Sequence, residues 1–94
     1  MAVVGVATIE LRIEHAHSLK EKRHVVKSLK DRLRGKFNVS VAEIDDQDLH
    51  NSAVLAVATV SSSRPFAEKV LQAVEREAAE LVGPMLIRFE TEWW

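Results

Sequence analysis

The chain has 94 residues, of which 47% are apolar and 29% are charged, and it contains no cysteine. A chain of this length is expected to form one domain over residues 1–94, with enough apolar content to bury a core. The lack of cysteine excludes a disulfide framework and a thiolate metal site. No positively charged segment leads into an apolar run near Met1, as in a secretory leader, and no 18-residue apolar stretch that could span a membrane occurs. We therefore expect a cytoplasmic protein.

The first half of the chain predicts a strand, a helix and a second strand. Apolar and polar residues alternate over Val3–Glu14, which is typical of a strand with one buried face. Ser18 begins an S-x-x-E capping box, and the helix that follows should end near Gly35. The apolar stripe of that helix has four members: Leu19, Val26, Leu29 and Leu33. Phe37–Ile44 has strand composition, and a shift of its alternation after Val41 predicts a bulge or a strand buried on both faces.

The second half predicts a strand, a helix and a last strand after a polar connection. Ala53–Val60 is apolar on both faces, which indicates a strand in the middle of a sheet. Ser62 or Ser63 should cap a second helix that stops at Gly83, and Met85–Glu92 should form the fourth strand. The core stripe of the second helix would be Phe66, Val70, Ala73, Val74 and Leu81. One face of the last strand would carry Ile87 and Phe89.

The order of these elements, β-α-β-β-α-β, is that of a ferredoxin-like α+β sandwich. Right-handed crossovers then predict a four-stranded antiparallel sheet with the strand order 4-1-3-2. Both helices should lie on one face of this sheet, so the other face should be open.

Two motifs give the chain a specific resemblance to a known family. Ser18–Arg23 reads S-L-K-E-K-R, and Lys36–Glu43 reads K-F-N-V-S-V-A-E. Both motifs are typical of the YlxP-like family of small bacterial proteins, which the chain resembles from Val4 to about Val82. The resemblance implies a ferredoxin-like fold and a gene neighbourhood of transcription elongation, translation initiation and ribosome maturation. It implies no catalytic residue and no cofactor.

The positive charge of the chain is concentrated in His15–Lys36. This segment holds eight of the thirteen Lys and Arg residues and two of the fourteen acids, so it carries +6 while the other residues sum to −7. Such asymmetry indicates a surface that is recognised by its charge. On a helix, four cations form a ladder about 16 Å long at ~1.5 Å per residue, with Lys20 beside it. We call the four residues the basic ladder: Arg23, Lys27, Lys30 and Arg34.

The basic ladder predicts binding to RNA or to a ribosomal particle, because this spacing can meet successive backbone phosphates. Two alternatives stay open. The ladder could be a solvated face or could pair with carboxylates of the second helix, which are Glu68, Glu75, Glu77 and Glu80. It could also meet an acidic partner in a homodimeric interaction domain or a small-ligand regulatory domain. Lys22 projects onto the apolar stripe instead, and should reach past the helix start or to a carboxylate such as Glu43.

A homodimer could form through the open sheet face, the edge strand Phe37–Ile44 or the terminal Trp93 and Trp94. Trp93 could instead pack against its own second helix or sheet edge. We expect the open face to be mixed in character, with Thr8, Glu10, Arg12, Glu14, Arg88, Glu90 and Glu92 near Ala56 and Ala58. Such a face is too acidic for RNA and lacks the aromatic residues on which single-stranded bases stack.

Metal and catalytic chemistry find little support in the sequence. Glu43 and the Asp45–His50 loop bring together four carboxylates and an imidazole, but they lack the glycine and the distal glutamate of a calcium loop. His15, His17 and His24 flank the helix start, where we expect solvated or phosphate-assisting side chains. No nucleophile elbow, metalloprotease helix, Walker loop or dinucleotide motif occurs. We therefore expect no metal site, no cofactor and no enzyme activity.

Overall fold

The structure, a computed structural model, describes all 94 residues as four strands and two long helices. The elements in chain order are β1 (Val3–Arg12), α1 (Leu19–Lys36), β2 (Ser40–Asp45), β3 (Ser52–Ser61), α2 (Arg64–Val82), a 3-10 turn (Gly83–Met85) and β4 (Leu86–Trp93). The strands form one antiparallel sheet in the order β2-β3-β1-β4. This confirms the predicted ferredoxin-like sandwich and its strand order. Neither helix combines the length and apolar character needed to span a membrane.

The core lies between the two helices and the central strands. Alternate residues of β1 and β3 are buried, as the period of a strand requires. α1 contributes the predicted Val26, Leu29 and Leu33. Burying a large aliphatic side chain contributes about 1.5–3 kcal/mol, so these layers supply most of the driving force for folding. β2 and β4 are the edge strands and present their outer backbone groups to solvent or to a neighbouring element.

The predicted N-terminal cap of α1 is confirmed, whereas its predicted C-terminal cap at Gly35 is wrong. Ser18 Oγ accepts a hydrogen bond from the N–H of Glu21 at 3.1 Å. The helix continues through Gly35 to Lys36, and the N–H of Phe37 donates to the carbonyl of Leu33. Phe37 leaves the helix with an extended backbone (φ −130°), so no left-handed residue is needed and glycine has no capping role here.

Both ends of α2 follow the prediction. Ser63 is the cap, since its Oγ accepts from the N–H of Phe66 at 3.2 Å. Gly83 ends the helix with φ +55°, a conformation that favours glycine.

The predicted core stripe of α2 is wrong in its centre. Phe66 is 60% exposed, and of the predicted residues only Val74 is buried outright. The inward face consists of Ala67, Leu71, Val74, Glu77, Ala78 and Val82, which lies about 60° further around the helix at 100° per residue. The sequence carries a broad apolar sector on this helix. Its centre is set by contact with the sheet and α1, and the small side chains of Ala67 and Ala78 fill positions against them.

The strand boundaries differ from prediction where the sheet is irregular. β1 ends at Arg12 rather than Glu14, and β2 begins at Ser40, three residues later than predicted. The predicted irregularity of β2 exists, but its register shift lies between Glu43 and Asp45. In β4, a register shift on β1 sets Leu86 opposite Leu11. Ile87 is consequently 44% exposed and does not join Phe89 against the core.

Candidate nucleic-acid interface

Lys22 fixes the position of α1 against the end of β2. Its side chain is 1% exposed, and its Nζ donates hydrogen bonds to the carbonyl oxygens of Asp46 (2.6 Å) and Leu49 (2.8 Å). Nζ also lies 2.7 Å from Glu43 Oε2, an ion pair without hydrogen-bond alignment, and this buried oxygen has no other polar partner. The ammonium therefore donates two hydrogen bonds to backbone carbonyls and is paired in charge with the Glu43 carboxylate. The predicted reach of Lys22 to Glu43 is confirmed.

All four cations of the basic ladder line a single concave surface between α1 and β2. We call this surface, of about 490 Å³, the basic groove; its lining residues are Arg23, Val26, Lys27, Lys30, Asp31, Arg34 and Glu43. The groove follows the free edge of the sheet, because β2 has a strand neighbour on one side only. Among these lining residues, only Val26 is hydrophobic. The groove is therefore suited to a charged ligand.

The cations of the groove differ in how firmly they are held. Arg34 Nη2 donates to the carbonyl oxygen of Val41 at 2.8 Å and so binds to the edge strand. Lys27 Nζ lies 2.6 Å from Asp31 Oδ2 one turn away, and both side chains are exposed. Arg23 and Lys30 make no hydrogen bond or ion pair with any residue of the chain. The groove thus contains two cations without a protein partner beside two that have one.

Asp31 is the acid that lies in the basic groove beside the ladder. The hydrogen bond from Lys27 holds the pKa of Asp31 below its ordinary value; burial opposes this shift, and the charges of Lys27, Arg34 and Lys30 add to it. The i, i+4 spacing of Lys27 and Asp31 was the signal that could have revealed the pair.

Lys20, which the sequence sets beside the ladder, does not line the basic groove. It lines a shallow depression with His15, Glu21, His24 and Val25 on another part of α1. Of the three histidines near the helix start, His15 and His24 thus lie beside Lys20. His17 lies at the helix cap, where its backbone N–H donates to Glu21 Oε2 at 3.3 Å.

The opposite flank of α1 is neutralised by α2. Glu77 Oε1 lies 2.7 Å from Arg32 Nη1 and 3.0 Å from Lys36 Nζ, and the glutamate side chain is 10% exposed. The hydrogen bonds from Arg32 and Lys36 lower the pKa of Glu77, which burial opposes. Pairing with the second helix therefore accounts for Arg32 and Lys36, and for none of the ladder.

The acidic loop after β2 serves as a turn. Asp46 has φ +61°, and its Oδ2 accepts from Ser52 Oγ at 2.8 Å. The N–H of Asp46 donates to Asp45 Oδ1, also at 2.8 Å. No three histidine, aspartate or glutamate side chains of the chain lie close enough together to hold a metal ion.

The open face of the sheet is mixed in character, as predicted. It carries Thr8, Glu10 and Arg12 of β1 beside Arg88, Glu90 and Glu92 of β4, and its remaining positions on β1, β2 and β3 are mainly Val and Ala. The two tryptophans point to opposite faces. Trp93 packs over Gly5 on the helix-covered face, with the guanidinium of Arg64 4.1 Å from its ring centre. Trp94 is 67% exposed.

Comparisons with known sequences give the family that the chain matches. A family model described as "Protein of unknown function (DUF503)" matches residues 4–91. The chain is 47% identical over 72 residues to the uncharacterized protein YlxP of Bacillus subtilis (strain 168). The aligned residues make up 77% of this chain and 78% of that protein.

Three solved structures show the same fold at low sequence identity. The de novo designed protein Foldit4 matches with a TM-score of 0.64 at 15% identity, over 100% of this chain and 97% of that one. The C-terminal segment of the alpha subunit of aIF2 from Pyrococcus abyssi gives 0.55 at 14% identity, over 98% and 49%. A dimeric ferredoxin-like protein of unknown function from Thermobifida fusca gives 0.51 at 15%, over 97% and 90%. At these identities the likeness concerns the fold alone.

Proposed function

We propose that this chain, which belongs to the DUF503 family of proteins of unknown function, is a cytoplasmic, non-catalytic module that binds the phosphate backbone of RNA through the basic groove. The observation that carries the proposal is the pair of unpartnered cations, Arg23 and Lys30, in the same concave surface as Lys27 and Arg34. Cations gathered in a concave surface focus positive potential and attract a polyanion.

The two partnered cations are also available to a phosphate. The ion pair of Lys27 with Asp31 is exposed on both sides, and such pairs contribute little to stability, so a phosphate can compete for Lys27. Arg34 donates one hydrogen bond, to the carbonyl oxygen of Val41, and its other N–H groups have no acceptor in the protein. A guanidinium held in this way is well placed to bind phosphate oxygens in a planar, bidentate manner.

The chemistry of the groove favours RNA backbone over base readout. Val26 is its single hydrophobic lining residue and no aromatic side chain lines it, so it offers no stacking platform for bases. Affinity should then come from phosphate contacts, which depend on salt and carry little sequence preference. The gene neighbourhood implied by the YlxP-like resemblance, with its translation and ribosome-maturation genes, supports RNA as the polyanion.

Fluorescence anisotropy with labelled ribosomal RNA fragments at several salt concentrations tests the proposal. Two to four phosphate contacts at ~0.7 each predict a log–log slope between about −1.4 and −2.8. Reversing both unpartnered cations, with Arg23→Glu and Lys30→Glu, should abolish binding and leave cooperative unfolding intact. The matched control reverses Arg76 and Lys69, which are exposed on α2, make no ion pair and change the net charge equally.

Each outcome of this experiment is decisive for the groove. Loss of binding in the groove variant alone supports the proposal. Equal loss in both variants means that net charge, and not the groove, attracts RNA. If the unmodified protein shows no binding at ~50 mM salt, where phosphate contacts are favoured, the nucleic-acid proposal fails. Tight binding of an acidic polypeptide without RNA binding would favour a protein partner instead.

A further inference from the structure

We propose that the open face of the sheet binds a second copy of the chain and forms a symmetric homodimer. The proposal is independent of RNA binding, because the basic groove lies at the sheet edge next to the covered face. It rests on the continuity of an apolar patch, on the position of Trp94 and on the self-complementary arrangement of charges along β4.

The open face carries apolar side chains in adjacent rows across three strands. Residue partners across the sheet are Val4 with Val60, and Val6 with Ala58. Ala56 lies between Thr8 of β1 and Ala42 of β2. Val54 lies opposite Asp45 at the other end of the patch, next to the register shift that contains Ile44. Val60 is 61% exposed and Ile44 is 50% exposed, although both are large aliphatic side chains. We call this set, together with Trp94, the apolar patch.

Trp94 extends the patch across the fourth strand. Its N–H donates to the carbonyl of Val4 at 2.8 Å, and the N–H of Val4 donates to the carbonyl of Trp94 at 2.9 Å. Two residues that exchange both hydrogen bonds form a directly opposed antiparallel pair, so their side chains lie on the same face of the sheet. The Trp94 ring therefore belongs to the open face with Val4 and Val60. Contiguous apolar surface of this kind is rare on monomeric proteins and marks an interaction site.

A second copy fits this face because the face is complementary to itself. The two-fold axis lies in the plane of the interface and runs perpendicular to the strands. It stacks β2 and β3 of one copy on β2 and β3 of the other, so the apolar side chains of these strands meet. The same axis reverses β4. Arg88 at the beginning of β4 in one copy then lies near Glu92 and Trp94 at the end of β4 in the other, and Glu90 between them faces Glu90 of the other copy. Opposite charge and cation–π contact at the two ends favour that arrangement, and each Glu90 at the centre has Arg88 of its own chain 3.6 Å away.

The available area is sufficient for a weak but specific dimer. Four strands ~4.8 Å apart, each about eight residues long at ~3.3 Å per residue, cover roughly 500 Å² in projection. The two faces together then bury roughly 1,000 Å², which is above typical crystal contacts and near the lower limit of specific interfaces. The dimer should therefore dissociate on dilution.

This dimer would also bring the two basic grooves together. β2 of one copy stacks against β2 of the other under the proposed axis, so both grooves open on the same side of the assembly. A polyanion could then contact both, a consequence that does require the proposed RNA binding.

Sedimentation velocity over roughly 1–500 µM, the range in which a weak interface dissociates, tests the dimer directly. We expect the mass to rise from the 10.6 kDa of the monomer to twice that value. Changing Val60→Lys and Trp94→Lys should leave a monomer at all concentrations. The control, Phe66→Lys with Gln72→Lys, adds the same two charges at exposed positions of α2, and should dimerise as the unmodified chain does.

Cysteine cross-linking adds a second measurement that does not depend on charge. The chain contains no cysteine, so a single Ala56→Cys substitution gives one thiol in the apolar patch, in the row of residues that the proposed axis crosses. Mild oxidation should form disulfide-linked dimers of this variant much faster than of a Phe66→Cys control. A monomer at every concentration, or a dimer that persists in the Val60→Lys and Trp94→Lys variant, would overturn the proposal. RNA binding that survives in the monomeric variant would separate the two proposals.

Discussion

The two flanks of α1 carry similar positive charge and have different surroundings. On the α2 side, Arg32 and Lys36 converge on the nearly buried carboxylate of Glu77. On the β2 side, the ladder meets one exposed acid, and Arg23 and Lys30 have no partner. The net charge of a helical segment therefore overestimates the number of cations that can bind a ligand. Only the flank without a buried counter-charge is free to attract a ligand.

The largest effect is expected at the residue that fastens α1 beside the groove. Lys22→Met should lower the free energy of unfolding by about 3 kcal/mol, because it leaves Glu43 without its counter-ion and two carbonyl groups without a donor. Urea denaturation measures the change. Lys20→Met, on the exposed surface, is the control and should change stability by less than ~0.5 kcal/mol. A Lys22 variant as stable as the control would mean that the buried ammonium is not an anchor.

A pH-dependent effect is expected on the flank that α2 neutralises. The pKa of Glu77 is lower in the folded protein than in the unfolded chain, so its stabilisation is fully present above the unfolded pKa and is lost as the pH falls through the folded pKa. Glu77→Gln should therefore lower Tm near neutral pH, and its difference from the unmodified protein should shrink from about pH 5 to about pH 3. Glu80→Gln, which removes an exposed carboxylate of α2 with no ion-pair partner, is the control. RNA binding should be unchanged in both variants.

The smallest effect is expected on RNA binding by the ladder flank, at its one exposed acid. Asp31→Asn frees Lys27 from its ion pair and removes the one exposed acid of the ladder. We expect RNA affinity to rise and the log–log salt slope to become steeper by about 0.7, the value for one added phosphate contact. Glu75→Gln on α2 changes the net charge equally and should leave the slope unaltered. If the slope of the Asp31 variant also stays the same, Lys27 does not contact phosphate.

Much of the fold could be predicted because it follows from local patterns. The alternation of β1 and β3, the Ser18 and Ser63 caps and the stop at Gly83 are properties of short stretches of chain. The element order then leaves few topologies with right-handed crossovers. The Lys22–Glu43 contact was predictable for a similar reason, since a lysine on an apolar stripe requires a polar partner at the end of the neighbouring strand.

Other features could not be read from local patterns. The centre of the α2 stripe depends on how closely the helix approaches the sheet, so Phe66 was misplaced and Ala67 was missed. The mixed character of the open face was predicted, but its exposed apolar positions, such as Val60 on β3, were not identified because they resemble core residues in composition. Their exposure follows from the absence of a covering layer, which is a property of the whole architecture.

The helices and strands, their order and the line of cations along α1 follow from local sequence patterns. A period of two residues in strands and of 3.6 residues in helices assigns each side chain to a face, whatever the rest of the chain does. Which of these cations lack a partner depends on the packing of distant segments against α1. Glu77 comes to Arg32 and Lys36 from 45 and 41 residues away along the chain, through the packing of α2 on α1. The edge of β2 engages Arg34 and completes the groove around Arg23 and Lys30. Ion pairing acts over a few ångströms, so the distances created by folding decide which charges of the helix remain available to a ligand.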